Sequence, residues 1–243
     1  MNILKHFLSF AIAVALVLTP TAVLSSPPSM DMRWAIQSAV MVHITGLAPT
    51  PVGDFQRIGG GGSGTAIHTV GGKTRVLTAA HVCDLGPAAV FVRATVTTHG
   101  RNIMEGRVIA LDHSTDLCVI DVKGTIRSID VANSMPTAGT KCAIVGAPGR
   151  RYGPQAWPTH DTLLLNGPTI VPFARSPIKD AVWEVTADLT GGWSGAGVIC
   201  GGRIAGIVFA VDRHIGELAY IIQVDYLKSF LAKHDARKDW SKK

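Results

Sequence analysis

From Ala39 onward the chain alternates short apolar runs with Gly, Pro, Asn and Asp breaks. Runs rich in Val, Ile and Thr predict strands over Ala39–Thr45, Gly64–Val70, Arg75–Thr78, Val90–Thr98, Arg107–Asp112 and Leu117–Val122. A second set is predicted over Lys141–Gly146, Thr162–Leu165, Ala181–Thr186, Gly197–Cys200, Arg203–Val211 and Leu218–Val224. Many short β runs at this spacing argue for antiparallel sandwiches or barrels. Between the sets, Lys123–Thr137 is more polar and irregular, as expected of a crossover between two halves, and no internal repeat is evident. One helix is expected near the end. Asp225 can cap it, and Leu227, Phe230 and Leu231 share a face at i, i+3 and i+4 before it stops near His234. Those apolar residues are assigned to packing on the second half.

The N-terminus departs from this pattern. Lys5 and His6 precede an apolar run from Phe7 to Leu18, which Thr19-Pro20-Thr21 breaks. Compact residues follow at Val23-Leu24-Ser25. The run is short for a membrane span, so residues 1–25 read as a cleaved secretory signal rather than an uncleaved anchor, with cleavage near Ser25. The expected location is therefore secreted or periplasmic, with no membrane association after cleavage. Residues 26–234 form the expected domain: a first barrel over about 38–122, a second over about 138–224, and the helix over 225–234. Residues 235–243 form a basic tail, in which Arg237, Lys238, Lys242 and Lys243 outweigh Asp235 and Asp239.

The formal charge is +6, and it falls by one with the signal, because Lys5 is the signal's one charged residue. Such an excess can attract nucleic acid or anionic surfaces. No aromatic interleaving or nucleic-acid motif accompanies it, so no nucleic-acid partner is expected and the tail reads as solvated. Four cysteines, Cys83, Cys118, Cys142 and Cys200, in a chain with a secretory signal favour two disulfides. There is no C-x-x-C, and His81-Val82-Cys83 is a poor ligand set, so neither a metal nor another cofactor is expected.

The candidate chemistry lies in three segments: Thr78-Ala79-Ala80-His81, Asp116-Leu117, and Thr190-Gly191-Gly192-Trp193-Ser194-Gly195. Ser194 lies 113 residues after His81 and 78 after Asp116. Acyl transfer by serine needs a base for its proton, an acid to orient the base, and donors for the developing oxyanion. His81, at the end of a β run, suits the base. Asp116, opening an apolar run, suits the orienting acid; Asp112 is a rival four residues earlier, but it follows a strand instead of leading one. Ser194 is the candidate nucleophile, and the backbone N–H groups of Gly192 and Ser194 are the candidate oxyanion hole. The order His, Asp, Ser, with Ala196 at the last position of Gly-x-Ser-x-Gly, disfavours a lipase-like elbow.

With Gly62-Ser63-Gly64-Thr65-Ala66-Ile67 and Ala205-Gly206-Ile207-Val208, these segments resemble the trypsin/chymotrypsin superfamily of serine proteases over most of residues 38–234. The resemblance implies an all-β fold of two six-stranded antiparallel barrels with a C-terminal helix. It places His81 and Asp116 on the first barrel, Ser194 on the second, and the active site between them. It also implies a Cys142–Cys200 disulfide. Cys83 matches a family cysteine whose usual upstream partner is missing here, so Cys83–Cys118 is the expected second bridge. The implied function is a secreted, cofactor-free serine endopeptidase acting on protein or peptide substrates. The alternatives are an inactive binding protein on the same fold, with Trp193 crowding the oxyanion hole, and a viral maturation protease, which the signal disfavours.

Departures from the family concern regulation and specificity. Digestive members carry an aspartate before the serine that pairs with a new N-terminus; Trp193 stands there instead. Arg57-Ile58-Gly59-Gly60 resembles an activation site but lies too near His81 to serve as one. Activation is therefore expected not to use the N-terminal ion pair, as in bacterial HtrA-like and viral trypsin-like members. No PDZ domain is recognisable after His234, so the full HtrA architecture is not expected. Asp188 stands where trypsin-like members carry the acid that binds Lys or Arg, and it competes with a reading as an ordinary turn acid. Val211 and Leu218 replace pocket glycines and would narrow the slot. The oligomeric state is not legible.

Overall fold

The computed structural model describes residues 32–149, 159–165, 167, 178, 182–212 and 217–234. The expected signal, residues 1–25, and the basic tail, residues 235–243, lie outside the described residues. Among them are twelve strands: β1 (Ala39–Pro49), β2 (Phe55–Val70), β3 (Lys73–Ala79), β4 (Val90–Thr98), β5 (Ile103–Asp112) and β6 (Leu117–Lys123), then β7 (Lys141–Val145), β8 (Thr159–Leu163), β9 (Val182–Thr186), β10 (Gly197–Cys200), β11 (Arg203–Asp212) and β12 (Leu218–Gln223). Helices α1 (Met32–Ser38), α2 (Ala80–Cys83) and α3 (Val224–Lys233) complete the described elements.

The first six strands close into an antiparallel barrel in the order β1-β2-β3-β6-β5-β4, with β4 pairing back onto β1. Alternation explains the closure: on β1, Val40, Val42 and Ile44 point inward and are fully buried, whereas Met41, His43 and Thr45 are not. Val76, Val96 and Ile120 meet them in the interior. The second six strands form one antiparallel sheet, β8-β7-β10-β11-β12-β9. It curls, and among the described residues its edges meet through the Leu164–Val185 bridge, the Leu165 N–H donating to the Glu184 carbonyl at 2.8 Å, the Thr162 hydroxyl donating to the Thr186 carbonyl, and the Leu163 N–H donating to the Thr186 hydroxyl at 3.0 Å, without a continuous ladder between them. The second barrel is thus half closed.

β2 starts nine residues before the predicted Gly64. Its early half, Phe55 to Gly62, carries little apolar signal but is held by register pairing with β1, from Pro49↔Phe55 to Val42↔Gly62. Arg57–Gly60 is therefore strand interior, paired on β1, and not a chain start. The crossover stitches the halves together: the Ile129 N–H donates to the Ala66 carbonyl on β2, and the Ala132 N–H to the Ile204 carbonyl on β11, each at 2.9 Å. Leu77, Leu117 and Val119 of the first barrel share a core with Ile199, Ile207 and Phe209 of the second. α3 buries Leu227 and Phe230 in that core. Its N-cap is Gln223, not Asp225; Asp225 sits in the first turn, where its charge complements the helix dipole.

Two disulfides join Cys83 to Cys118 and Cys142 to Cys200, and among the described residues no cysteine is free. They span 35 and 58 residues, and on a chain-entropy account each is worth about 4 kcal/mol. The first links α2 to β6, and the second links β7 to β10.

Candidate active site

α2 is a single helical turn placed directly after β3. Val82 and Cys83 bury themselves in the first barrel, and the His81 side chain is left 49% exposed at the barrel's end. Asp116 meets it from the start of β6. The backbone of Asp116 is left-handed, with φ at 51°, a conformation its short polar side chain tolerates better than most. Its carbonyl accepts the Ala80 N–H at 2.9 Å, and its Oδ1 accepts the His81 backbone N–H at 2.9 Å. Oδ2 remains for the ring, and lies 2.8 Å from His81 Nδ1. One carboxylate, only 6% exposed, therefore fixes both the backbone and the imidazole of His81.

The rival acid is engaged elsewhere. Asp112 Oδ1 accepts the Ser114 N–H at 2.9 Å and the Ser114 hydroxyl at 2.6 Å, and Lys233 Nζ lies 3.8 Å from Oδ2. The Ser114 hydroxyl, then the Ser114 backbone N–H and after it Lys233, hold its pKa below the ordinary 3.8 against the opposing effect of burial. A lowered native pKa gives stability that is complete above the unfolded value and lost as pH falls through the native one. Asp112→Ala is therefore expected to cost about 1 kcal/mol at pH 7 in urea unfolding. The penalty should shrink near pH 3.

Ser194 lies in the turn that precedes β10. Gly192 and Gly195 have φ of 98° and 88°, and a Cβ on Gly195 would overlap the Ser63 carbonyl and the Thr78 hydroxyl, so glycine is required there. Backbone bonds fix the turn: Gly195 N–H to the Val208 carbonyl at 2.7 Å, Ala196 N–H to the Trp193 carbonyl at 2.9 Å, and Ser63 N–H to the Ser194 carbonyl at 2.8 Å. The last of these crosses from the first barrel to the second. Gly62 makes the crossing possible, because a Cβ there would stand 2.7 Å from the Ser194 carbonyl oxygen and 2.8 Å from Val82 Cγ2. The turns carrying Ser194 and His81 thus converge over a residue with no side chain. Among the described residues, nothing accepts the N–H of Gly192 or of Ser194.

Cavities flank the turn on two sides. One, of about 480 Å³, lies beside Ser194 and is walled by Leu189, Thr190, Val208, Phe209 and Val211. The other, of about 340 Å³, lies beyond Gly192 between Met41, His43 and Pro148. Of the three residues expected at a specificity pocket, Val211 borders the first cavity, and Asp188 and Leu218 are absent from its described lining. Asp188 is exposed because its neighbours Ala187 and Leu189 turn inward, each 7% exposed, which sends the intervening side chain outward. Trp193 is fully buried within the second sheet beside Ile144, Leu164 and Ile221, with His160 edge-on at 4.9 Å. Its ring belongs to that core, and Trp193 also borders the cavity beside Ser194.

The sequence reading gave no role to Ser63 or Thr78, although both border the turn. The Thr78 hydroxyl donates to the Ser63 carbonyl at 2.7 Å, and Ser63 is fully buried. The signal was present in Gly62-Ser63-Gly64, a polar residue between two glycines on a strand otherwise turned to the core.

The sequence pattern of the trypsin-like peptidase domain matches residues 62–207, which include all these segments. No curated protein matches the chain. Among solved structures, the chain is similar to the active form of the Rv3671c protease from M. tuberculosis, at 23% identity and a TM-score of 0.63, covering 92% of this chain and 94% of that one. The inactive form of the same protease matches at 22% identity and 0.60, covering 83% and 91%. The HtrA-type protease AlgW, solved with a decapeptide, matches at 14% identity and 0.65, covering 85% and 66%. At these identities the structures share the fold with this chain. With the family pattern spanning more than half its length, the chain belongs to the trypsin-like peptidase domain family and is a serine protease of the trypsin/chymotrypsin superfamily.

Proposed function

We propose that the protein is a secreted endopeptidase that cleaves peptide bonds through an acyl-enzyme formed on Ser194. The observation that carries this reading is the contact of His81 Nδ1 with the buried Asp116 carboxylate at 2.8 Å. It keeps the proton on Nδ1, so Nε2 is left as the base. His81 takes the Ser194 hydroxyl proton as Oγ bonds to the substrate carbonyl carbon. The carbonyl oxygen becomes the oxyanion, and the N–H groups of Gly192 and Ser194 receive it. His81 then protonates the departing amine as the C–N bond breaks. Water attacks the ester, His81 takes its proton, and collapse releases the acid and restores Ser194. The two disulfides fit an oxidising compartment and support secretion.

The cavity beside Ser194 supports a preference at the residue whose carbonyl is attacked. None of its described lining residues carries a charge, and Asp188 lies outside them, so an uncharged side chain is favoured over Lys or Arg. A fluorophosphonate probe is expected to label the protein once, on the peptide containing Ser194. In a fluorogenic peptide scan, cleavage should follow uncharged residues rather than Lys or Arg. No labelling, or labelling at another residue, would overturn the acyl-enzyme reading; cleavage confined to Lys or Arg would overturn the pocket assignment alone.

A further inference from the structure

We propose that Ser63 is a positioning residue for the oxyanion hole, holding the nucleophile turn from the opposite barrel. This rests on the reading of the Gly192 and Ser194 N–H groups as the oxyanion donors. Ser63 lies on β2 and is fully buried. Four hydrogen bonds converge on it. Its hydroxyl donates to the Gly192 carbonyl at 2.9 Å and accepts the Ala147 N–H at 2.9 Å. Its backbone N–H donates to the Ser194 carbonyl at 2.8 Å, and its carbonyl accepts the Thr78 hydroxyl at 2.7 Å.

The pattern is directional. A hydroxyl has one proton, and the Ala147 N–H occupies the oxygen as an acceptor, so the single Ser63 proton is aimed at Gly192. The carbonyls on both sides of Trp193 are thereby held by one residue, Gly192 through the side chain and Ser194 through the backbone. Gly192 needs such a tether. At a φ of 98° it has no Cβ to restrict it, and the Gly192–Trp193 peptide can rotate at little steric cost. The Gly192 N–H is on the preceding peptide but hangs on the same Cα, and a turn of the Gly192–Trp193 peptide displaces that Cα and, through Trp193, the Ser194 N–H, so the two groups no longer converge on one oxygen. Thr78, three residues before His81, locks the other side of Ser63. A short chain of bonds therefore links the base-bearing segment to the oxyanion turn.

Ser63 also answers the question Trp193 raises. With an indole where an aspartate would anchor the turn, no charge in the turn can pair with a new N-terminus. The Ser63 hydroxyl holds the Gly192 carbonyl without one, and needs no cleavage to form.

The test is steady-state kinetics per titrated active site. Ser63→Ala should lower kcat roughly 10- to 100-fold with KM within about threefold, since a small misplacement of a donor acts on the transition state. The Ki of a peptide aldehyde, which places an oxyanion in the same hole, should rise by a similar factor. Ser63→Thr keeps the hydroxyl but adds a methyl to a packed position; it should lose thermal stability while keeping most of kcat. A purely structural role predicts the reverse: both variants destabilised, and kcat per site unchanged. Unchanged kcat and aldehyde affinity in Ser63→Ala would overturn the proposal. Should that variant not accumulate, Ser63→Cys substitutes a weaker donor, and wild-type kcat and aldehyde affinity there would overturn it equally. Failure of the underlying reading is distinct, because wild-type protein would then take no fluorophosphonate label.

Discussion

Ser194→Ala is expected to abolish fluorophosphonate labelling and to lower kcat on a peptide substrate by roughly a millionfold. The size of the effect follows from what remains. The turn is held by the backbone bonds of Gly195, Ala196 and Ser63 and by the burial of Trp193, none of which uses the Ser194 hydroxyl. The oxyanion donors therefore keep their places, and the variant should still bind substrate and stabilise charge. Residual acceleration of roughly a thousandfold over water is expected from that machinery alone. Stability should change by less than about 1 kcal/mol, as for a surface substitution that breaks no buried bond. Retention of more than about a hundredth of wild-type kcat would exclude Ser194 as the nucleophile, given the magnitude that loss of a nucleophile carries.

Much of this arrangement could be read before the fold was known, and the reasons are local. All twelve predicted strands correspond to strands of the structure, because β-branched residues alternate inward wherever a barrel wall is buried on one side. The early half of β2 could not be read that way. Gly59 to Gly62 carries no side-chain pattern and is a strand because β1 lies beside it. α2 was illegible for another reason: a four-residue turn has no period, and it forms where β3 ends and Asp116 accepts the Ala80 and His81 N–H groups. The candidate triad was legible because acid, base and nucleophile each sit at the end of a recognisable β run. The direction of Asp188 was not, since its side depends on which neighbours the core takes. The role of Ser63 was hidden for a related reason: three of its four partners are backbone atoms 84 to 131 residues away, and no sequence pattern marks them.

On the proposal that Ser63 tethers the nucleophile turn, Trp193 and Ser63 divide the work of holding it without the ion pair of digestive members of the superfamily. Full burial of the indole is worth about 3 kcal/mol or more and is present as soon as the second sheet forms. Packing fixes the side chain and the Ala196 N–H holds the Trp193 carbonyl, but the peptides carrying the Gly192 and Ser194 carbonyls take their partner from the other barrel. The two Ser63 bonds fix those peptides, and they exist only when the barrels are docked. Formation of the site is in this way coupled to assembly of the two halves.

Asp116→Asn is expected to lower kcat about ten-thousandfold while leaving the protein folded, a loss that comes from the wrong tautomer. The carboxylate serves two donors at once, the His81 backbone N–H at Oδ1 and Nδ1 at Oδ2. An asparagine can satisfy the backbone donor with its carbonyl oxygen, which leaves its amide nitrogen facing Nδ1. That nitrogen only donates. Nδ1 must then be the acceptor, the ring proton moves to Nε2, and the base is lost where Ser194 needs it. The backbone conformation should survive, because asparagine tolerates the left-handed φ of 51° as aspartate does. The Cys83–Cys118 bridge and the Ala80 N–H bond to the residue 116 carbonyl hold the same two segments independently of the carboxylate. The discriminating measurement pairs kcat with imidazole nitrogen chemical shifts. A fall in kcat with the proton moved to Nε2 assigns Asp116 to orienting the base. A fall with the tautomer unchanged would assign it to the packing of α2, and kcat within tenfold of wild type would remove it from the mechanism.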